Sequence, residues 1–201
     1  MKPGPQYKIA KRLGAQIFEK TQTRAFTLSA ERSAKSKKRQ RPGSDYSRQL
    51  IEKQKLRLTY GITEKQFSSY VRLALESHEN PQAMLFGLLE KRLDSAAYRL
   101  GFAPTRRAAR QFASHGHLTV NGRRVTIPSY KLSIGDVIGI REGSRENGFF
   151  STLAEKLKEH KVPAWFQFDA DKREGTFKSE PALAAGDVPA DIGAVFEYYT
   201  R

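Results

Sequence analysis

The chain has 201 residues, and its 36 lysines and arginines against 21 acidic residues give a formal net charge of +15. A hydrophobic fraction of 38% is sufficient for a buried core, and the absence of cysteine excludes a disulfide scaffold, a thiol nucleophile and a cysteine-ligated metal. No apolar stretch approaches the roughly 18 residues of a membrane helix, so the charge indicates a polyanionic partner, either nucleic acid or an acidic membrane surface.

The N-terminal region carries most of the charge. Residues 1–60 have a net charge of +12, residues 61–150 of +5 and residues 151–201 of −2. Residues 1–43 show no sustained helical or strand period, and Ser29–Gly43 is so poor in apolar residues that disorder in isolation is predicted. We interpret residues 1–43 as a basic extension. A solubilising or targeting tail is the alternative, including a mitochondrial transit peptide, against which Pro3 and Pro5 argue.

Three helices are predicted in the next segment. The first begins at Ser44 and ends before Gly61. The second begins at Thr63, which forms a capping box with Gln66 and precedes apolar residues at helical spacing. The third begins at Pro81, and we expect it to be buried because it is the most apolar part of the chain.

Residues 92–141 predict a different unit, in which two helices precede a small antiparallel sheet. The helices are expected over Arg92–Leu100 and Arg106–Ser114. Asn121-Gly122 lies between two β-branched runs, which is a strong signal for a hairpin with a type I′ turn. The apolar run Val137–Ile140 predicts a third strand.

The C-terminal segment has weaker patterns. Ser151–His160 predicts a helix, Trp165–Phe168 alternates like a strand, and Ser179–Pro189 has the composition of a linker. The final aromatic run, Val195–Tyr199, requires a core on which to pack.

Arginines are concentrated in the predicted two-helix and hairpin unit. The eight basic residues from Arg92 to Lys131 are accompanied by one acid, Asp94. Arg106 and Arg110 share one face of their helix, whose N-terminal N–H groups favour a phosphate. Since the planar guanidinium binds phosphate through two hydrogen bonds and stacks on bases, we predict a nucleic-acid surface rather than a merely solvated face. Asp94 is expected to orient Arg92 or another nearby arginine.

The same unit resembles the small RNA-binding module named after ribosomal protein S4. The resemblance rests on Arg92-Leu93-Asp94, Arg99-Leu100-Gly101-Phe102, Thr105-Arg106, Ala109-Arg110-Gln111, Ser114-His115, Val120-Asn121-Gly122 and Pro128-Ser129-Tyr130. The flanking segments that are similar to the sequences around the module in the ribosomal family are Tyr7–Phe18, Ser44–Phe67, Trp165, Glu174–Phe177 and Val195–Tyr199. The chain therefore resembles the bacterial-type S4 family of small-subunit ribosomal proteins, in a cysteine-free form.

The resemblance implies an α+β fold in which a helical domain carries an inserted RNA-binding module of two helices and a small antiparallel sheet, preceded by an extended basic N-terminal arm. The expected divisions are the extension over residues 1–43, a helical domain over 44–91 completed by 182–201, and an inserted domain over 92–181 whose module spans about 92–150. The aromatic C-terminal run would then pack on the helices of residues 45–90.

The resemblance also implies a function. Family members are structural constituents of the small ribosomal subunit that bind its RNA at a junction in the 5′ domain and nucleate assembly of the subunit body. They contribute to the messenger RNA entry path and to decoding accuracy, and contact neighbouring ribosomal proteins, notably S5 and also S3. We expect a cytoplasmic ribosome rather than an organellar one, and no enzymatic activity, cofactor, small-molecule substrate or membrane partner.

The predicted site consists of RNA contacts alone, without catalytic or metal-binding residues. The predicted RNA-binding residues are Lys8, Lys11, Arg12, Lys37, Lys38, Arg39, Arg41, Tyr46, Lys53, Arg57, Arg92, Arg106, Arg107, Arg110, Gln111, Ser114, His115, Asn121, Gly122, Arg123, Arg124, Tyr130 and Lys131.

One departure from the family concerns zinc. Many members bind zinc through cysteines near the N-terminus, whereas the matching stretch here, Phe26–Arg41, has none and is rich in lysine, arginine and serine. We expect ribosomal RNA phosphates to order this segment, so that residues 20–43 of the free protein remain open to protease. His115 and His117 lie two residues apart, which suits neither one helix face nor a common zinc pattern.

Three other function classes fit the sequence less well. An RNA-modifying enzyme that carries the same module needs a separate catalytic domain, for which the short basic helices leave no room. A stand-alone RNA-binding protein with this module would lack the basic extension and the segment Ser44–Phe67. Acidic-membrane binding requires an amphipathic helix with exposed large apolar residues, and the apolar residues here have the spacing of a core.

Overall fold

The computed structural model describes residues 4–36, 44–146, 148–151, 157, 160–169, 172–184 and 186–201. The helices are α1 (Gln6–Leu13), α2 (Arg24–Ser36), α3 (Asp45–Tyr60), α4 (Glu64–Leu75), α5 (Pro81–Glu90), α6 (Leu93–Arg99), α7 (Arg106–His115), α8 (Glu142–Arg145), α9 (Gly148–Ser151) and α10 (Ile192–Tyr199), and a 3₁₀ turn covers Glu19–Thr21. The strands are β1 (Leu118–Val120), β2 (Arg123–Arg124), β3 (Val137–Ile140), β4 (Phe166–Asp169) and β5 (Glu174–Phe177). This mixture of helices and a small sheet confirms the predicted α+β class.

The chain divides into two compact units. One comprises Met1–Gln82 together with Ala184–Arg201, and the other comprises Ala83–Leu183. The second unit thus begins before residue 92, where the sequence placed the inserted domain. The physical reason is that α5 packs within this unit, since Phe86 contacts Trp165 with ring centroids 6.0 Å apart and Glu90 binds arginines that follow it.

The first unit contains regular structure that the sequence did not predict. Residues 6–36 form α1, the 3₁₀ turn and α2, although the sequence shows no helical period there. Helix α2 includes residues 29–36, the first part of the segment for which disorder in isolation was predicted. Leu13, Phe18 and Phe26 are buried in one cluster with Leu58 of α3. These apolar residues are too sparse to show a period in the sequence, and they suffice because they converge from several segments. The predicted contacts Lys37, Lys38, Arg39 and Arg41 lie outside the described residues.

Local capping sets the ends of the predicted helices of the first unit. The Ser44 hydroxyl accepts a hydrogen bond from Ser47 N at 3.3 Å, and the Thr63 hydroxyl accepts one from Gln66 N at 3.4 Å. Gly61 ends α3 with φ of 62°, a left-handed conformation that glycine adopts without strain. These predicted boundaries are confirmed.

Helix α10 packs on α3 and α4, as predicted for the aromatic run. Tyr198 lies 5.6 Å from Tyr46 between ring centroids, and Tyr199 lies 6.1 Å from Phe67. The Tyr199 hydroxyl donates a hydrogen bond to Glu64 Oε1 at 2.7 Å. The C-terminal residues therefore complete the helical unit begun by residues from the other end of the chain.

The second unit is built on an antiparallel five-stranded sheet in the order β2-β1-β3-β5-β4. Strands β1 and β2 form the predicted hairpin, in which Asn121 and Gly122 have φ of 50° and 74°, as a type I′ turn requires. Strand β4 begins one residue after the predicted start, and β5 was not predicted. The helix predicted over Ser151–His160 falls mostly outside the described residues.

Gly175 of β5 lies against Leu100, the residue that follows α6. A Cβ atom at this position would overlap the side chain of Leu100, which is fully buried and would have to shift within the core. We expect Gly175→Ala to lower the free energy of unfolding by about 1–3 kcal/mol. Urea denaturation measures this loss, and Gly143→Ala is the matched control because nothing lies within 4 Å of a Cβ there. Equal stability of the two variants would contradict the prediction.

Candidate nucleic-acid interface

Helix α7 forms the centre of the candidate site. The Thr105 hydroxyl accepts a hydrogen bond from Ala108 N at 3.0 Å, and Gly116 ends the helix with φ of 74°. Ala109 and Ala113 are buried beneath the helix. The opposite face exposes the predicted contacts Arg107, Gln111, Ser114 and His115, which recur at the spacing of one helix face.

Asp94 holds two of the predicted arginines. Arg92 donates to its two carboxylate oxygens at 2.9 and 2.8 Å, and Arg110 donates twice to Oδ2, at 2.9 and 2.7 Å. The predicted orienting role of Asp94 is confirmed. Arg92 is only 3% exposed, so its assignment as a surface contact is corrected: it is an interior partner of Asp94.

Glu90 forms a second centre that sequence reasoning missed. Its side chain is fully buried, with Arg99 at 2.8 Å and Arg106 at 3.2 Å from Oε1. Arg106 also lies 4.7 Å from the centroid of the Tyr98 ring, within the range of a cation–π contact. The sequence did contain a signal for this centre. Glu90 is an acid at the end of a strongly apolar helix and lies two residues before the arginine-rich unit. Arg106 and Arg110 are therefore half-buried and joined to acids rather than free.

The hairpin meets the end of α7. Arg124 Nη2 donates to the carbonyl oxygen of His115 at 3.2 Å, and its guanidinium lies directly on Gly116, where any Cβ would overlap it. Arg123 and Arg124 are exposed. We call Arg107, Gln111, Ser114, His115, Arg123 and Arg124 the α7–hairpin surface.

The Asn121 side chain supports the hairpin turn. Its Nδ2 donates to Asp136 Oδ1 at 2.8 Å, and its Oδ1 accepts from Val137 N at 2.9 Å. Both ends of the amide are thus engaged within the protein. The neighbouring Gly122 is exposed, with no atom within 4 Å of a Cβ built there, so the backbone is open to a ligand.

Tyr130 and Lys131 lie on an exposed loop tied to the start of α6. Leu93 N donates to the carbonyl oxygen of Tyr130 at 2.9 Å, and Asp94 N donates to that of Pro128 at 3.0 Å. Both predicted side chains are exposed, and the backbone bonds hold the loop against the helix that carries Asp94.

The electrostatic environment at the end of α7 is positive. Burial lowers the pKa of His117, and the neighbouring charges of His115, Arg124 and Arg141 lower it further. His117 Nδ1 is 2.9 Å from the Ser144 hydroxyl. The guanidinium groups of Arg124 and Arg141 near His117 make this region favourable for an anion.

The first unit contains the other predicted contacts. Lys8, Arg12 and Tyr46 are exposed. Lys11 is half-buried and donates to the Ser29 and Ser33 hydroxyls at 2.7 and 2.9 Å.

Glu64 engages two further predicted contacts of this unit. Lys53 is 5% exposed and donates to Glu64 at 2.8 Å, and Arg57 Nε lies 3.3 Å from the same carboxylate. Burial alone would raise the pKa of Glu64, but the bonds from Lys53 and Tyr199 and the charge of Arg57 lower it below its ordinary value. Lys53 is therefore corrected from a surface contact to a buried side chain that is paired with the half-exposed Glu64.

The described residues lack the features of two other classes of site, a metal centre and a membrane span. In that part of the chain, no group of three or more histidine, cysteine or acidic side chains could hold a metal ion. No helix there is both long and apolar enough to cross a membrane.

Comparison with known proteins gave two family matches that together cover the first two thirds of the chain. The model of the ribosomal protein S4/S9 N-terminal domain matches residues 2–90, and that of the S4 domain matches residues 91–138. The second match contains α7, the hairpin and both buried acid–arginine clusters except Glu90, which ends the first match.

Several relatives that the chain matches over nearly their whole length share the name small ribosomal subunit protein uS4. The chain is 42% identical over 199 residues to small ribosomal subunit protein uS4 of Pediococcus pentosaceus, covering 98% of this chain and 97% of the relative. It is 40% identical over 202 residues to the protein of that name from Polaromonas naphthalenivorans, and 37% identical over 206 residues to that from Herpetosiphon aurantiacus, with 98% of each chain covered in both cases.

Proposed function

The chain belongs to the ribosomal protein S4 family, and from this premise we propose that it is a structural constituent of the small ribosomal subunit that binds ribosomal RNA. The observation that carries the proposal is that the arginines fall into two groups, one paired with buried acids and one exposed. Arg92, Arg106 and Arg110 bind buried acids, while Arg107, Arg123 and Arg124 are exposed to solvent. The paired arginines hold the framework, and the exposed ones are available to phosphates.

The chemistry of the α7–hairpin surface suits folded RNA. Arginine forks bind phosphates, and the glutamine, serine and histidine side chains beside them supply hydrogen bonds to phosphates and 2′-hydroxyls. Lys8, Arg12, Tyr46 and Lys131 are additional exposed contacts. Lys53 and Arg92 support the fold and do not touch the RNA in this proposal.

Finer aspects of the role follow from the family resemblance. We propose that the RNA target is a junction in the 5′ domain, that binding there nucleates assembly of the subunit body, and that the protein contributes to the messenger entry path and decoding accuracy. Neighbouring proteins S5 and S3 are the proposed protein partners, in a cytoplasmic ribosome. The protein acts without catalysis. Its relatives match it over nearly their whole length, which supports this role over a stand-alone binder or a modifying enzyme.

The test removes two exposed arginines of the proposed surface. Because a hydrogen bond to a charged group contributes roughly 1.5–3 kcal/mol, Arg107→Ala with Arg123→Ala should weaken binding of a 5′-domain ribosomal RNA fragment at least tenfold. Filter binding measures affinity, and urea denaturation should show unchanged stability because both side chains are exposed. Arg72→Ala, an exposed arginine of α4 outside the predicted site, controls for lost charge. Unchanged affinity in the double variant would refute the assignment of this surface.

A further inference from the structure

The second unit contains a cavity that the α7–hairpin surface does not include. Its volume is about 410 Å³, within the range of small-ligand sites. The lining includes Tyr98, Arg99, Phe149, His160 and Lys161. It thus combines aromatic surfaces with cations.

The walls of the cavity are held in place by the fold. His160 Nε2 lies 2.9 Å from the carbonyl oxygen of Arg99, and its ring packs on Gly101, where a Cβ would lie 2.8 Å from His160 Cδ2. Arg99 is fixed by two hydrogen bonds to Glu90, at 2.9 and 2.8 Å. Two walls are therefore preorganised, which reduces the entropy lost when a ligand binds.

Phe149 presents an aromatic surface at the cavity. Its ring is fixed by contacts with Phe112 and Phe150, at centroid distances of 4.8 and 5.5 Å, yet the residue is 45% exposed. An exposed aromatic side chain held rigidly is costly in water and is the usual platform for a nucleic acid base.

Lys161 supplies the charge. It lines the cavity and is exposed, and among the described residues it makes no ion pair, in contrast to Arg99. Lys161 and the ring of Phe149 line the same cavity, and a cation and an aromatic ring match the two parts of a nucleotide, the phosphate and the base.

We propose that this cavity takes one unstacked nucleotide of a bound RNA, with the base against Phe149 and its phosphate at Lys161. The inference rests on the proposed RNA-binding function and adds a single-stranded contact to it. A free nucleotide has the same chemistry, so the test distinguishes a nucleotide within an RNA chain from a free one. In these proposals the α7–hairpin surface binds folded RNA independently of the cavity. Either proposal can therefore be refuted while the other stands.

The experiment uses the full chain and 2-aminopurine, whose fluorescence is quenched when the base stacks. The two probes are a short single-stranded RNA with one 2-aminopurine and the free 2-aminopurine ribonucleoside monophosphate. We expect the oligonucleotide to be quenched on binding, and Phe149→Ala to weaken that binding by about 5- to 150-fold. Phe149→Leu, which keeps apolar bulk, and Lys161→Ala should each weaken it as well. Ile134→Ala and Lys178→Ala, exposed residues away from the cavity, are the matched controls.

The quenching of the two probes decides whether the cavity binds a nucleotide of an RNA. Loss of quenching in the three cavity variants but not in the controls, with binding of the 5′-domain fragment retained through the Arg107 and Arg123 contacts, supports the proposal. Equal quenching in all variants overturns it, and so does a response to the free monophosphate alone. If Phe149→Ala unfolds the protein, as urea denaturation would show, the Phe149→Leu and Lys161→Ala variants give the same decision.

Discussion

Replacing Asp94 with alanine is expected to lower the free energy of unfolding by about 3–5 kcal/mol, the usual cost of removing one partner from a buried ion pair. The expected loss is this large because Arg92 is 4% exposed in its side chain and binds both carboxylate oxygens of Asp94. Without the carboxylate, the Arg92 charge would remain in the interior without its closest acid. Arg110 would lose the same partner, at 2.7 Å.

Urea denaturation measures this effect, with the fluorescence of Trp165 as the signal. Trp165 is the one tryptophan of the chain and is buried in the same unit as Asp94. Asp94→Asn should lower the free energy of unfolding by less, because the amide keeps the shape of the side chain and one hydrogen-bond acceptor. Glu142→Ala removes an exposed acid of the same unit and should change stability by less than about 0.5 kcal/mol. An Asp94→Ala variant as stable as Glu142→Ala would show that the Asp94 cluster contributes no net stability.

The same geometry changes how RNA binding has to be tested. The sequence alone suggests removing Arg106 and Arg110, since both share one helix face and only one acid lies nearby along the chain. In the folded protein they bind buried Glu90 and Asp94. Their loss would leave acids short of partners and destabilise the protein, so weakened RNA binding in such a variant would not identify a contact. Arg107 and Arg123, which are exposed, avoid this confusion.

Features set by neighbouring residues were predictable from the sequence. The caps at Ser44 and Thr63 depend on hydrogen bonds that span three residues, and the Asn121-Gly122 turn depends on two backbone conformations. The aromatic run Val195–Tyr199 indicated that α10 requires a partner surface, and the family resemblance implied that the helices of residues 45–90 supply it. Each of these follows from chemistry within a few residues or from a strong apolar signal.

Features that depend on distant residues were not predictable in this way. The N-terminal helices are stable because Phe26 and Leu58 meet in one cluster across more than thirty residues of chain. Strand β5 contains Gly175, a poor strand residue, and is paired on both sides by β3 and β4. Glu90 lies nine residues from Arg99 and sixteen from Arg106, so only the fold reveals the ion pairs that remove these arginines from the candidate surface.

RNA affinity should depend steeply on salt if the exposed cations bind phosphates. Each neutralised phosphate releases a condensed counterion, so a contact with about 6–10 phosphates loses roughly 10³–10⁵ in affinity between about 50 and 200 mM salt. Lys8, Arg12, Arg107, Arg123, Arg124 and Lys131 are exposed and reach the lower end of that range by themselves. Lys37, Lys38, Arg39 and Arg41, which lie outside the described residues, would bring the total to its upper end.

The slope of this dependence separates phosphate contacts from the other kinds of contact. Filter binding of the 5′-domain fragment over that range should give a log–log slope reduced by about two in the Arg107 and Arg123 double variant, one for each lost phosphate contact. Arg72→Ala should leave the slope unchanged, and so should Phe149→Leu, because stacking releases no counterion. A wild-type affinity that hardly varies with salt would contradict phosphate binding altogether, whatever the identity of the RNA.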